Sequence, residues 1–300
     1  MRYNPQRLGS DPVVQTFLDM ASMTTPGGTE SYCWRAIPGP RRVDNFGNLH
    51  VTVGDPMGTM FASHLDTACM ESTNVWFDFS KKNFVRTNGR TLLGADDKAG
   101  AAIMCHMIRH RIPGHYVFHA NEELGCLGSR DLAKCFISQF EDPGLVLPSI
   151  PERVISFDRR GYDSVVTHQM GERTCSDQFA TALSAELGLG HRPDPTGSYT
   201  DSNEYQMVVP ECTNVSVGYF NQHTNREEQN IEFLRDLADR CLSVAWDELP
   251  TVRQIDEFGW VEYEEQQQSP DELFEPAPGD SACEFDYHFE DNTFQDGDSF

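Results

Sequence analysis

The stretch Leu92-Leu93-Gly94-Ala95-Asp96-Asp97-Lys98-Ala99-Gly100 opens an apolar helical pattern that runs from Asp97 to His110. The next run, Tyr116–Ala120, is β-rich and closes on Asn121-Glu122-Glu123. Upstream, Asn48–Val53 and Met60–Leu65 read as strands, and Gly54-Asp55-Pro56 between them suits a hairpin or tight connection. Val75–Phe79 and Asn83–Thr87 read as a second, more exposed hairpin. Asp11-Pro12 caps an amphipathic first helix. Downstream come a helix at Ser129–Phe136, strands at Val154–Phe157 and Ser164–Thr167, a Ser-capped helix at Ser176–Leu187, a strand at Asn214–Val217 and a long helix at Asn230–Trp246. This alternation predicts an α/β fold, a three-layer α/β/α sandwich around a mixed, mostly parallel sheet.

Acids and histidines gather where these strands end, the edge at which open α/β sheets bind ligands. Ser63-His64-Leu65-Asp66-Thr67 offers an imidazole with a carboxylate close enough to orient it. In the Asp96-Asp97 pair, a helix cap explains one carboxylate well and the pair less well; a carboxylate bridging two cations explains the other. Glu122-Glu123 allows one cation ligand beside one proton shuttle, or two solvated loop acids. Asp158 closes the apolar Ile155-Ser156-Phe157 and precedes Arg159-Arg160, and His223 follows the last strand. Together these supply a donor set for two divalent cations with one shared carboxylate. No HExxH, GxSxG, P-loop or dinucleotide fingerprint competes with it.

In the order and approximate spacing of these motifs the chain resembles the co-catalytic zinc exopeptidase superfamily. That group includes peptidase T, the glutamyl and tetrahedral aminopeptidases and the lid-less bacterial leucyl aminopeptidases. The resemblance covers about residues 10–246 and rests on Gly94-Ala95-Asp96-Asp97-Lys98-Ala99-Gly100 and Glu122-Glu123-Leu124-Gly125-Cys126-Leu127-Gly128, flanked by the His64, Asp158 and His223 segments. It implies a peptide substrate and two divalent metal ions, zinc by preference. Asp96 would be shared, with a cis Asp96–Asp97 peptide, His64 and Asp158 would complete one metal, and Glu123 and His223 the other. Asp66 would orient His64, and Glu122 would serve as general base and acid. Tyr199 is a candidate oxyanion donor, the other reading of its segment being a helix cap at Thr200, and Arg159 or Arg160 could anchor a short peptide's carboxylate. The 64 residues between Asp158 and His223 and the 29 between Asp66 and Asp96 leave no room for a lid domain. The expected activity is that of an aminopeptidase. The alternatives are a dizinc carboxypeptidase or N-acyl-amino-acid amidohydrolase and, outside enzymes, a binding protein on an inactive peptidase fold.

Of the 300 residues, 47 are Asp or Glu and 23 Lys or Arg, a formal net charge of −24. Residues 247–300 hold 17 of the acids and one Arg, a net of −16, which leaves −8 on the rest. A nucleic-acid surface and adhesion to an anionic membrane are disfavoured, since both need clustered Lys and Arg. The expected division is a catalytic domain over residues 1–250 and an acidic, disordered tail over 251–300 whose aromatics leave open a fold-back or a protein partner. Nine scattered cysteines without CxxC spacing, no apolar span of membrane length and no signal-like N-terminus point to a cytoplasmic protein with free thiols.

Overall fold

Asp11 starts the first helix as the sequence predicts: its Oδ1 accepts the backbone N–H groups of Val13 and Val14 at 2.9 and 3.2 Å. The computed structural model describes residues 11–56, 58–141, 149–255 and 288–289. In chain order the elements are α1 (Pro12–Ala21), α2 (Ser31–Trp34), β1 (Arg42–Val43), β2 (Leu49–Val53), β3 (Thr59–His64), β4 (Phe77–Asp78), β5 (Phe84–Thr87), α3 (Ala95–Arg109), β6 (Gly114–His119), α4 (Leu127–Glu141) and β7 (Arg153–Arg159). They continue with β8 (Ser164–Val166), β9 (His168–Gln169), β10 (Glu172–Arg173), α5 (Asp177–Leu187), β11 (Arg192–Asp194), α6 (Asp201–Glu204), β12 (Glu211–Ser216), β13 (Tyr219–Phe220), β14 (Glu228–Asn230), α7 (Ile231–Cys241) and β15 (His288–Phe289).

Among the described residues the main sheet has nine strands in the order β11-β8-β12-β7-β3-β6-β2-β1-β15. Its centre, β12-β7-β3-β6, is parallel, and the strands from β2 outward are antiparallel. Of the two readings of Gly54-Asp55-Pro56, the short connection holds and the hairpin does not form. All six residues of β3 are buried, so β3 is a central strand, and β6 lies between it and β2. Side chains alternate cleanly across the sheet. Phe61, Tyr116, Ile155 and Phe157 pack with α1, α3, α5 and α7 on one face. Met60, Ala62, Val117 and Val154 pack with Leu132, Ala133 and Phe136 of α4 and with Tyr205 on the other. The result is three layers with a core on each side of the sheet.

Two further expectations change. The second hairpin forms as β4–β5 but joins β13 and β14 in a separate four-stranded antiparallel sheet. The last long helix stops at Cys241 rather than Trp246, where the Trp246 indole donates to the Cys241 carbonyl at 3.0 Å and its ring packs edge-on against Phe61.

The body also continues past residue 250. Arg253 donates to the carbonyls of Gln206, Val209 and Pro210, while the amides of Val252 and Arg253 bond buried Glu211. The tail reading otherwise falls mostly outside the described residues, except that His288–Phe289 pairs antiparallel with Arg42–Val43 at the sheet edge. Eight cysteines are described and all are free thiols. Among the described residues no helix is long and apolar enough to cross a membrane.

Candidate metal centre

The parallel strands deliver their acidic ends to one place. His64 is the last residue of β3 and Asp158 the sixth of seven in β7. Glu122 and Glu123 lie in the turn just beyond β6, and His223 lies in the turn after β13 with φ +59°.

The Asp96–Asp97 pair divides its labour. Their peptide bond is cis, as the resemblance implies, and both residues leave helical geometry. Asp97 is fully buried, and its Oδ1 accepts the Gly100 amide at 3.0 Å, a helix cap. Asp96 faces the cleft, with Oδ1 3.0 Å from His64 Nε2 and Oδ2 3.2 Å from His223 Nε2. His223 Nε2 is also 3.1 Å from Glu123 Oε1, and His64 Nε2 is 3.8 and 3.9 Å from Glu122 Oε2 and Asp158 Oδ1.

The surroundings fix these groups. Asp66 is buried, with Oδ1 3.3 Å from His64 Nδ1, and its two oxygens accept the amides of Glu122 and Glu123 at 3.1 and 3.0 Å. One carboxylate thus aligns the imidazole and the Glu–Glu turn together. The Asp158 carboxylate takes hydrogen bonds from Thr200 Oγ1 at 2.6 Å and the Tyr219 hydroxyl at 2.9 Å. The Cys126 thiol contacts Glu122 Oε1 at 3.5 Å.

Electrostatically the cluster is short of positive charge. Burial, opposed by His64 and reinforced by Asp158, Asp96 and Glu123, pushes the Glu122 carboxyl up to about 8. Burial and the nearby Asp96 also raise Asp158. Asp96 goes the other way: burial raises it, but hydrogen bonds with His223 and His64 outweigh that and hold it low. His223 is raised to about 10 by its contacts with Asp96 and Glu123. Glu123 Oε1 is buried, with the His223 imidazole nitrogen 3.1 Å away.

The donor atoms of His64, Asp96 and Glu123 lie within 4.8 Å of one another. Imidazole and carboxylate donors converging on a buried, acid-rich point fit divalent cations, which such a group needs for charge compensation.

No family model matches the sequence, and neither does any curated protein. Solved structures do. Aminopeptidase PepT of Bacillus cereus superposes with a TM-score of 0.61 at 15% identity, covering 77% of this chain and 96% of that one. A tripeptidase of Staphylococcus aureus gives 0.59 at 17%, covering 77% and 96%. The TET1 peptidase of Pyrococcus horikoshii, which can assemble into a tetrahedron or a large octahedral shell, gives 0.60 at 13%, covering 78% and 99%. The fold is that of these peptidases.

Within this fold the remaining predicted positions separate. Tyr199 lines the cleft with Asp96, Glu122, Asp158 and His223, but its hydroxyl is bonded to Glu204. Arg159 is held by Asp194 and Thr196, whereas Arg160 is exposed on the cleft wall.

Two supporting acids escaped the sequence reading. Glu227 is buried and accepts the amides of Leu93, Gly94 and Asp96 at 2.9, 2.8 and 3.0 Å, clamping the turn that carries Asp96. Burial pushes its carboxyl up to about 7. Asp201 is buried and takes the Ser129 hydroxyl at 2.5 Å. Glu227 stands in a polar loop and Asp201 opens the short α6, and their partners lie 72 to 134 residues away in sequence, so spacing carries no sign of them.

Proposed function

We propose that the chain is a dinuclear metal exopeptidase, and specifically an aminopeptidase. The observation that carries the reading is Asp96, whose two carboxylate oxygens face two different imidazoles at 3.0 and 3.2 Å. His64 and Asp158 would hold one cation, Glu123 and His223 the other, and Asp96 both. When bound, such a pair, zinc by preference, supplies Lewis acidity toward water and the scissile carbonyl.

The chain's own residues do the rest. Glu122 lies beside the cluster and is left out of the proposed ligand set, and its raised proton affinity suits a group that takes a proton from water and returns it to the departing amine. Asp66 keeps His64 and Glu122 in register. Thr200 and Tyr219 orient Asp158. The acid-lined cleft attracts an N-terminal ammonium, and the aminopeptidase fold supports the same choice.

Arg160 favours a second reading, a carboxypeptidase or N-acyl-amino-acid amidohydrolase that binds a carboxylate at this position. A non-enzymatic role is disfavoured, because every ligand-type residue and the candidate base are retained. Free and N-acetylated forms of the same di- and tripeptides, assayed with and without chelator, decide among these. The expected outcome is chelator-sensitive hydrolysis of the free forms, with the acetylated forms resisting. Preference for the acetylated forms would establish the second reading, and zinc-replete protein inert toward both would refute the peptidase assignment.

A further inference from the structure

A second group of metal-type donors stands on the helical layer, outside the cleft. α3 carries Asp96 in its first turn and His106 ten residues later, roughly 15 Å along the helix axis. His110, the C-cap residue of α3, follows four positions on, and Asp239 faces them from α7, which packs against α3. Two histidines at this spacing share one helix face, the arrangement by which a helix chelates a metal ion.

The side chains already stand close to ligand geometry. His106 Nε2 lies 3.2 Å from Asp239 Oδ1. Two donors each about 2.0–2.1 Å from one tetrahedral ion are about 3.3 Å from each other. The His106 and His110 ring centroids are 4.3 Å apart. His110 Nδ1 lies 2.9 Å from the His106 carbonyl. A carbonyl only accepts, so Nδ1 carries the proton and the Nε2 lone pair is left open. The His110 amide donates to the same carbonyl at 3.1 Å, so helical spacing holds to the last residue.

The surroundings favour a cation between these groups. His106 is only 6% exposed, and its Nδ1 makes no hydrogen bond among the described residues. Burial, reinforced by His110, holds His106 below the ordinary imidazole value, so near neutral pH it is an uncharged donor. The carboxylates of Asp239 and Asp11 act on it, while the neighbouring Arg109 turns away to Thr16 and the Ala36 carbonyl. The end of α3 adds the negative pole of its backbone dipole.

We propose that His106, His110 and Asp239 form a peripheral site for a transition-metal dication of the zinc type, which ties the end of α3 to α7. Two imidazoles and one carboxylate suit zinc, nickel or copper, whereas magnesium and calcium take oxygen donors. His110 and Asp239 are exposed, so water completes the coordination and the site fills after the cleft. This site is independent of the exopeptidase reading.

The test dialyses the full chain, as wild type, His110→Ala and Asp239→Asn, against the same free zinc and counts bound metal by elemental analysis. Both substituted positions are exposed, and equal Tm values in chelator check that the fold persists. The wild type should hold one equivalent of zinc more than either variant. Zinc should also raise its Tm further than it raises that of His110→Ala, because only the wild type gains the extra bound ion. Magnesium in place of zinc should erase both differences. Hydrolysis of an unblocked tripeptide at saturating zinc should be alike in all three proteins. Equal zinc content in the three proteins, or a difference that magnesium reproduces, would overturn the proposal. Failure of the peptidase reading would show separately, as absence of turnover by the wild type, because the zinc difference is read without turnover.

Discussion

Replacing Glu122 with Gln should lower kcat/KM by about a thousandfold, within the 10²–10⁴ range by which a positioned proton-transfer group accelerates reactions. Gln keeps the size and the backbone bond to Asp66 but cannot accept the proton. Metal content should not change, because the five proposed ligands, His64, Asp96, Glu123, Asp158 and His223, are untouched. Steady-state kinetics and elemental analysis of the same preparation check both halves. Unchanged turnover removes Glu122 as the base, and loss of turnover together with metal would make it a ligand instead.

Gly100→Ala should have the largest effect on stability. Gly100 lies in α3, where helix propensity alone favours Ala by about 1 kcal/mol. Packing opposes this: a Cβ there would stand 2.2 Å from the Phe157 carbonyl and 2.6 Å from Asp97 Oδ1. The obstacle is strand backbone rather than the end of a flexible side chain, so α3 and β7 must separate. Overpacking of this kind costs about 1–3 kcal/mol and occasionally more. Here the upper end applies, a drop of about 6–12 °C in Tm for a domain this size. The displaced elements carry Asp96 and Asp158, so activity should fall with stability. Thermal unfolding of the two proteins measures it; an equal or higher Tm would mean that the close helix–strand contact is not maintained.

The sequence showed which acids and histidines the fold brings together better than it showed the connections. Asp158 and the Glu122–Glu123 pair were visible because each closes an apolar run, and apolar runs in an α/β pattern end at the ligand-binding edge. The Asp96–Asp97 pair was visible as an excess: Asp97 satisfies the cap, and Asp96 is the carboxylate left over. Strand neighbours were harder, since Gly54-Asp55-Pro56 is a turn whether or not its flanks pair, and β6 arrives between them from 50 residues downstream. The joining of β4–β5 to β13–β14 and the grip of Glu227 on the Asp96 turn are likewise long-range facts. Arg253 was assigned to the tail by composition, but its guanidinium caps three carbonyls of the body. Composition marks where acidity begins and does not mark where packing ends.

Titrating zinc into chelator-stripped protein while following hydrolysis of an unblocked tripeptide tests the central claim most directly. A shared Asp96 predicts that full activity returns only as two equivalents bind, and that Asp96→Ala fails to reach that stoichiometry. Activity that survives stripping, or that is complete at one equivalent with Asp96→Ala behaving as wild type, would contradict the account.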